Sequence, residues 1–457
     1  MSNPKLIDKF TDALPVPARR LIDELLRIAK PYGVPLYLVG GPLRDLLLER
    51  PSLDIDIAAE GDAIALARAL ADSRSTEKDA GSARPEALVG RAAATTPAPG
   101  VVTHPPFLTA TIRIPGHHID LVTARSETYA RPGTLPTVRP GTIEDDLLRR
   151  DFTINALALR LTSANAGEII DPTGGQRDLD ARVIRVLHEH SFQDDATRIL
   201  RAFRYATRLG FEIEPQTLAW LERDLRYLET ISAARLHHEF ARIFAEQTPE
   251  DIVLRLHQTG ALCDIHPALR FAREHAKAFA RLRELHPTGA RSAYWPVLAW
   301  QLTESEAASL ARRLALTRPQ RAAVEAMPAL DGLVAQHLQV RPPSLKRSAL
   351  AELLAPFPLP ALWALTALTD DPTVRDRLLD YLTKARHERP HLTGDDLLAM
   401  GIPPGPAVGT TLRRLRAAKL DGETTSREDE KRLARRLITE GDKTRHRDRK
   451  TTPSCSS

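Results

Sequence analysis

The chain has 457 residues, 27% of them charged, and its 64 Lys and Arg against 59 Asp and Glu give a formal charge of +5. That length exceeds one ordinary core and leaves enough interior to fold without covalent staples, while two cysteines, Cys263 and Cys455, make neither a disulfide framework nor a metal cluster. No apolar run approaches a membrane span and MSNPKLIDKF lacks a signal-peptide core, so a soluble cytoplasmic protein is expected, with no membrane association and no evident obligate protein partner. The small basic excess is compatible with a polyanionic partner, but a GC-rich genome gives the same arginine bias.

Residues 17–30, PARRLIDELLRIAK, space their apolar positions as a helix, and PLYLVG reads as a short buried strand. Gly41-Pro42 then opens LRDLLLER, with Pro42 suited to a first helical turn. SLDIDIAA predicts a second strand and DAIALARALADS a second helix. From Arg74 to about Pro105 the composition turns to Ala, Pro, Gly, Ser and Thr without periodicity, which predicts a flexible insertion. FLTATIRI and HHIDLVTA alternate around Pro-Gly and predict a hairpin. A polar loop rich in Pro and Gly leads to EDDLLRRDFTINALALRL, and DPTGGQRDLDARVIRVL supplies a turn and another strand. Beyond about Phe192 no strand is expected. DATRILRAFRYATRL, residues 195–209, is a helix stopped by Gly210, and ISAARLHHEFARIFAE is another capped by Ser232. Arg- and Leu-rich helices continue to about residue 438, and the basic end GDKTRHRDRKTTPSCSS reads as disordered. The fold class is therefore α+β: a head with a mixed sheet and flanking helices, followed by an all-helical body.

The chemistry concentrates in a few places. In a strand, Asp54 and Asp56 would share one face, with Ile55 and Ile57 on the other. Two anions on one surface call for a counter-charge, and oxygen ligands without His or Cys suit Mg²⁺. Asp120, in a neighbouring strand, could complete the cluster, and ions so held could serve nucleotidyl transfer. A bare DxD is more commonly a strand end in solvent, so context decides. Gly40-Gly41 would let the backbone approach a phosphate; no GxxxxGK[ST] is present. Arg44 could reach phosphate oxygens, while Asp45 orients it or favours the helix dipole. Arg198, Arg201, Arg204 and Arg208 recur at three- and four-residue steps along one helix, which by itself describes a solvated arginine face.

Together these stretches resemble the class II tRNA nucleotidyltransferase and bacterial poly(A) polymerase family, within the polymerase-beta-like superfamily. LVGGPLRDLLLERPSLDID matches a first motif of the form LVGGxVRDxLLGxxxxDxD, with Leu43 replacing valine and Glu49 replacing glycine. RRDFTINALAL, Arg149 to Leu159, matches the second motif nearly letter for letter. DPTGGQRDLDARVIRVL resembles the third, DDATRILRAFRYATRLGF the fourth, and ISAARLHHEFARIF the fifth; LTGDDLLAMGIPPGPAVG resembles a tail segment of bacterial members.

The resemblance implies a catalytic head over residues 1–165, its insertion at about 74–105, and a nucleotide-selecting neck over 166–250. A tRNA-binding body and tail would follow over 251–440, then a disordered basic end over 441–457. It implies that Asp54 and Asp56 hold catalytic Mg²⁺ with Asp120 as third acid, and that Gly40, Gly41 and Arg44 receive the triphosphate. Arg149, Arg150, Asp151 and Asn155 would contact the incoming nucleotide, Asp151 reading ribose hydroxyls. Asp195 and Arg198, with Arg201 beside them, would read the Watson–Crick edges of CTP and ATP in place of a template. Arg235 and Glu239, four apart, would form an ion pair on one helix face, and His237 and His238 would be surface or capping residues. The implied activity is addition of CCA to the 3′ end of tRNA with release of pyrophosphate. Addition of the terminal A alone beside a separate CC-adding enzyme ranks next, then poly(A) synthesis or CC addition, and a non-catalytic RNA-binding role last. CC-only relatives shorten the loop that here runs from Ala124 to Arg149, which places CC addition low.

Overall fold

The computed structural model of the chain describes residues 4–50, 54–78, 100–114, 117–128, 137–163, 165–338 and 345–450. It divides into two compact units, one comprising Met1–Glu239 with Thr259–Asp264 and the other Phe240–Gln258 with Ile265–Ser457.

The first unit is built on strands β1 (Leu36–Val39), β2 (Asp56–Ala59), β3 (Val101–His104), β4 (Thr109–Ile114), β5 (His117–Thr123), β6 (Arg125–Thr128), β7 (Thr137–Pro140), β8 (Ala158–Arg160), β9 (Ile169–Ile170), β10 (Val183–Ile184) and β11 (Glu212–Ile213). Seven of them form one sheet in the order β3-β4-β5-β2-β1-β8-β9. Every neighbouring pair is antiparallel except β2 and β5, which run parallel with Asp56 opposite Asp120. The mixed sheet is thus as expected, and the hairpin of β4 and β5 is borne out. β1, LYLV, is buried at every position because it lies inside the sheet with both faces covered. On one face Tyr37, Val39, Ala58 and Ala158 pack against Ile143 and Leu147 of the helix Ile143–Leu148. That helix starts on a capping box, in which Thr142 Oγ1 accepts from the Asp145 N–H and the Asp145 carboxylate accepts from the Thr142 N–H.

Several local expectations are corrected. β2 begins at Asp56, so Asp54 precedes the strand instead of sharing it. Helix Ala63–Lys78 and strand β3 take both ends of the expected 74–105 insertion; residues 79–99 lie outside the described residues. The polar stretch before EDDLLRRD is not all loop, since β6 and β7 pair antiparallel from Arg125 opposite Pro140 to Thr128 opposite Thr137; residues 129–136 are outside the described set. The third motif contributes a helix, Gly175–Ala181, capped by Asp171, whose two oxygens accept from the Gly175 and Gln176 N–H groups at 2.7 and 3.0 Å. Strands also do not end at Phe192: β11 pairs in parallel with β10.

Gly210 ends the helix Thr197–Leu209 at φ +69°, and Ser232 Oγ accepts from the Arg235 N–H at 3.4 Å at the start of Ala233–Ile243, both as read from sequence.

The second unit has helices as its only regular elements among the described residues. Its core gathers Phe244, Phe279, Tyr294 and Trp295, with Phe279 stacked on Tyr294 at 4.2 Å. Helix Leu359–Leu368 is apolar on every side and buried from Ala361 to Leu368, the mark of a central core helix. Arg281 donates to the carbonyls of Ala367 and Thr369 at its C-terminal end, at 2.7 and 2.9 Å. Among the described residues no single helix is long and apolar enough to cross a membrane. The tail segment LTGDDLLAMG closes a small core of Leu392, Leu397, Ile402, Leu415 and Ala434. Helix Arg427–Lys450 carries regular structure into the end read as disordered, and residues 451–457 are not described.

Candidate functional site

The two glycines have different duties. Gly40 has φ +70° and ψ −134°, a conformation that side chains resist, and a Cβ there would stand 2.4 Å from Arg150 Nη1. Its N–H donates to Leu157 O at 3.2 Å, which ties the turn to the strand after RRDFTIN. Gly41 begins the helix Gly41–Leu47, and Pro42 occupies its first turn as expected. Glu49, standing where the family pattern has glycine, takes φ +56°.

Arg44 does not face outward. Its guanidinium is 2% exposed, donates to Asp45 Oδ1 at 2.8 Å and to Asn155 Oδ1 at 2.7 Å, and lies over the Tyr205 ring at 5.1 Å. Asp45 orients it, and the pair braces Asn155.

Asp56 stands at the mouth of β2. The ladder bond from Asp120 N–H to Ile55 O, 2.9 Å long, holds Asp120 level with it. Burial, joined by the like charges of Asp120 and Asp54, pushes the Asp56 carboxyl up to about 6 against the pull of Arg150. Asp120 accepts from Thr111 Oγ1 at 2.7 Å and lies 3.9 Å from His118 Nε2, while Asp54 is exposed. Among the described residues no three His, Cys, Asp or Glu side chains form a ready metal cage. A carboxylate whose proton affinity is raised by burial and by the like charges beside it nevertheless suits Mg²⁺, which keeps waters and takes substrate phosphates as further ligands.

The RRD motif is organised by Asp146, which is fully buried. Oδ1 accepts from Arg149 Nε and Nη2 at 3.0 and 2.6 Å, and Oδ2 from Arg150 Nη2 and Nε at 2.8 and 3.3 Å. The two guanidinium groups hold this carboxyl below the usual range in spite of burial. Arg149 also donates to Glu127 of β6 at 2.9 Å. Asp151 is saturated in a similar way. Oδ1 accepts from the Phe152 N–H at 2.9 Å and Asn155 Nδ2 at 3.0 Å, and Oδ2 takes Nε of Arg201 at 2.8 Å together with its Nη2. Although burial opposes ionisation, Arg201 and Asn155 hold this carboxyl down at about 2.

The fourth motif differs from a plain arginine face. Asp195 is not helical but extended, at φ −144°, and accepts from the N–H and hydroxyl of Thr197 at 3.0 and 2.7 Å. Arg198 and Arg204 are buried. Arg198 donates to Ser191 O at 3.3 Å and Arg149 O at 2.9 Å, joining this helix to the RRD motif. Tyr205 collects the guanidinium groups of Arg44, Arg201 and Arg204 within 4.6 to 5.4 Å of its ring centre and meets Phe152 edge-on at 5.8 Å. The expected Arg235–Glu239 pair is replaced. Arg235 goes to Asp195, just before the helix Thr197–Leu209, and Glu239 lies 3.9 Å from Arg201 on that helix. His238 is exposed, as a surface residue would be.

Sequence reading therefore located the groups, and of its two readings of Asp45 the one in which it orients Arg44 is what the structure shows, but it missed three residues that arrange them: Glu127, Asp146 and Tyr205. Asp146 was readable, since it stands three and four residues before Arg149 and Arg150 on one helix face. Tyr205 carries no local signal.

Residues 36–185 match the family model described as "Poly A polymerase head domain", and 210–272 match "Probable RNA and SrmB- binding site of polymerase A". An A-adding tRNA nucleotidyltransferase of Geobacter sulfurreducens is 32% identical over 440 residues, taking in 93% of this chain; the chain spans only 47% of that protein's length. A CC-adding tRNA nucleotidyltransferase of Deinococcus radiodurans is 32% identical over 430 residues, covering 92% of this chain and 94% of that enzyme. The solved structure of a CCA-adding enzyme in an apo form superposes with a TM-score of 0.74 at 28% identity, over 96% of this chain and 99% of the other. Likeness sustained along nearly the whole Deinococcus enzyme, in a chain whose five motifs keep their family order, means that this protein belongs to the tRNA nucleotidyltransferase and poly(A) polymerase family of nucleotidyltransferases.

Proposed function

We propose that this protein completes the 3′ CCA end of tRNA from CTP and ATP, without a nucleic-acid template, the 3′ hydroxyl attacking the α-phosphorus in line and pyrophosphate leaving. The observation that carries the reading is the bond from Arg198 to Arg149 O, which ties the base-selecting helix to the RRD motif beside the paired carboxylates. Asp54 and Asp56 would hold Mg²⁺, with Asp120, level with Asp56 across the parallel pair, as third acid; when bound, the metal supplies charge compensation for the attacking and leaving oxygens. Gly40-Gly41 bring the backbone close to the triphosphate, and Arg150, wedged over Gly40, supplies the positive charge there. Arg44 is better cast as the support for Asn155 than as a direct phosphate ligand, since its donors are already engaged. Asp151 would meet ribose hydroxyls only by exchanging one of its present partners, Arg201 or Asn155.

Base choice falls to Asp195 and Arg198. The carboxylate accepts from the exocyclic amine that both C and A carry, and the guanidinium donates to the adjoining ring nitrogen or carbonyl. UTP and GTP present a carbonyl where an acceptor already stands. The basic helices of the second unit, with exposed Arg413 and Arg414 among them, would follow tRNA phosphates by charge and shape.

A second reading is favoured by the Geobacter relative, whose name is A-adding: this protein would add only the terminal A after a separate enzyme has added CC. Labelled CTP and ATP, supplied singly and together to tRNAs ending at the discriminator base or after CC, separate the two. Extension of both substrates supports full CCA addition. Extension of only the CC-ended tRNA by ATP supports the second reading, and no incorporation in Mg²⁺ by the wild type, with tRNA binding retained, would reject both in favour of a non-catalytic RNA-binding role.

A further inference from the structure

The Asp195 carboxylate is already partly spoken for. A carboxylate offers about four lone-pair sites on its two oxygens. Oδ1 accepts from Thr197 N and Thr197 Oγ1, and both oxygens lie 2.6 Å from Arg235 Nη2, which also lies 3.3 Å from Thr197 Oγ1. Oδ1 is thus filled. Among the described residues Oδ2 meets only Arg235, and it keeps room for one further donor. Arg235 reaches across from the helix Ala233–Ile243, and both side chains stay partly open, 32% exposed for Arg235 and 20% for Asp195.

We infer that Arg235 is the positioning residue of base selection: bridging both oxygens, it locks the Asp195 carboxylate so that the free lone pair of Oδ2 is presented in one direction. This inference rests on the base-reading role proposed above for Asp195. Its logic is that rejection needs rigidity. A carboxylate free to turn can move aside for the carbonyl of U or G, or admit a water between them, and then discriminates weakly. A carboxylate pinned through Oδ1 by Thr197 and across both oxygens by Arg235 cannot, so a carbonyl edge faces an unavoidable acceptor. Arg198 is fixed comparably through two main-chain carbonyls. The main-chain donor on Asp195, the Thr197 N–H, reaches Oδ1, so Arg235 is what holds Oδ2.

The test uses the full-length protein and tRNA, measuring kcat/KM for the accepted nucleotide against its carbonyl counterpart, CTP against UTP or ATP against GTP. Wild type is compared with Arg235→Lys, Arg235→Met, Asp195→Ala and the Asp195→Ala/Arg235→Met double variant, each checked for an unchanged thermal midpoint. The expected result is a loss of discrimination of about tenfold or more in Arg235→Met, the scale of one hydrogen bond to a charged group. Arg235→Lys, which keeps the charge but not the bridge, should fall between, and the double variant should discriminate no worse than Asp195→Ala alone. An equal fall for correct and incorrect nucleotides in a stably folded Arg235→Lys or Arg235→Met would overturn the inference while leaving base reading intact. If Asp195→Ala itself leaves the ratio unchanged, base reading by Asp195 fails and the inference with it.

Discussion

Replacing Gly40 by alanine should injure the protein in two separable ways. The backbone at φ +70° and ψ −134° is glycine territory, and an alanine held there costs about 1–3 kcal/mol. The new Cβ would also stand 2.4 Å from Arg150 Nη1, so the guanidinium must retreat by about 1 Å to reach ordinary contact. A side-chain tip elsewhere could swing away cheaply. Here Arg150 is tethered to the buried Asp146 at 2.8 and 3.3 Å, and breaking a bond of that kind costs about 1.5–3 kcal/mol. The variant should therefore lose about 2.5–6 kcal/mol of stability in the first unit, read by native-state hydrogen exchange at the amides of β1. Nucleotide incorporation should fall by about ten- to a hundredfold in kcat/KM as Arg150 leaves its place. Gly41→Ala is the control. Its Cβ would lie 3.7 Å from Arg44 Nη2 at the start of a helix, so stability should hold or rise by about 0.4–1 kcal/mol. The reasoning is refuted if Gly40→Ala exchanges and turns over like wild type, or if Gly41→Ala is equally destabilised.

Asp56→Asn should separate function from stability. Because the folded carboxyl titrates at about 6 instead of 3.8, the ionised form burdens the fold above pH 6 and the burden vanishes below 3.8. In metal-free buffer the variant should be about 2–3 kcal/mol more stable at neutral pH, with the advantage shrinking toward zero by pH 4, and should not incorporate nucleotide; urea unfolding across pH would contradict this by showing a less stable variant. His275 makes the opposite contribution in the second unit. Burial lowers it from 6.5 to about 4, and its Nδ1 accepts from the Ala272 N–H at 3.0 Å, so the folded state keeps it neutral. The unfolded chain then binds the extra proton between pH 6.5 and 4, so stability is complete above 6.5 and falls by about 3 kcal/mol toward 4. Circular dichroism of acid unfolding should show a flatter limb for His275→Gln, and an unchanged limb would assign the acid loss elsewhere.

What was legible in the sequence was what short-range chemistry fixes. Pro42, Gly210 and Ser232 marked helix ends because capping needs only a few neighbouring residues, and the β4–β5 hairpin followed from alternation around one tight turn. What was not legible were choices between partners distant in sequence. The helix-face rule offered Glu239 to Arg235, but a carboxylate already held by Thr197 presented a better bidentate partner 40 residues away. Sequence spacing offered Arg44 to a phosphate and could not show that Asn155, 111 residues away, and Tyr205 also meet its guanidinium. β2 begins only at Asp56, within the SLDIDIAA stretch, and the exposed Asp54 precedes the paired residues.

The contacts around Tyr205 also set a timetable. Arg44, Phe152, Arg201 and the tyrosine ring come from three remote parts of the chain, and such non-local contacts form slowly because loop closure precedes any gain. During synthesis the glycine turn and the paired carboxylates emerge long before the helix that locks Arg44 in place. A nascent chain stopped short of Tyr205 would leave Arg44 and Asp45 without that cover, so this site is finished only once the helix Thr197–Leu209 has been made and docked.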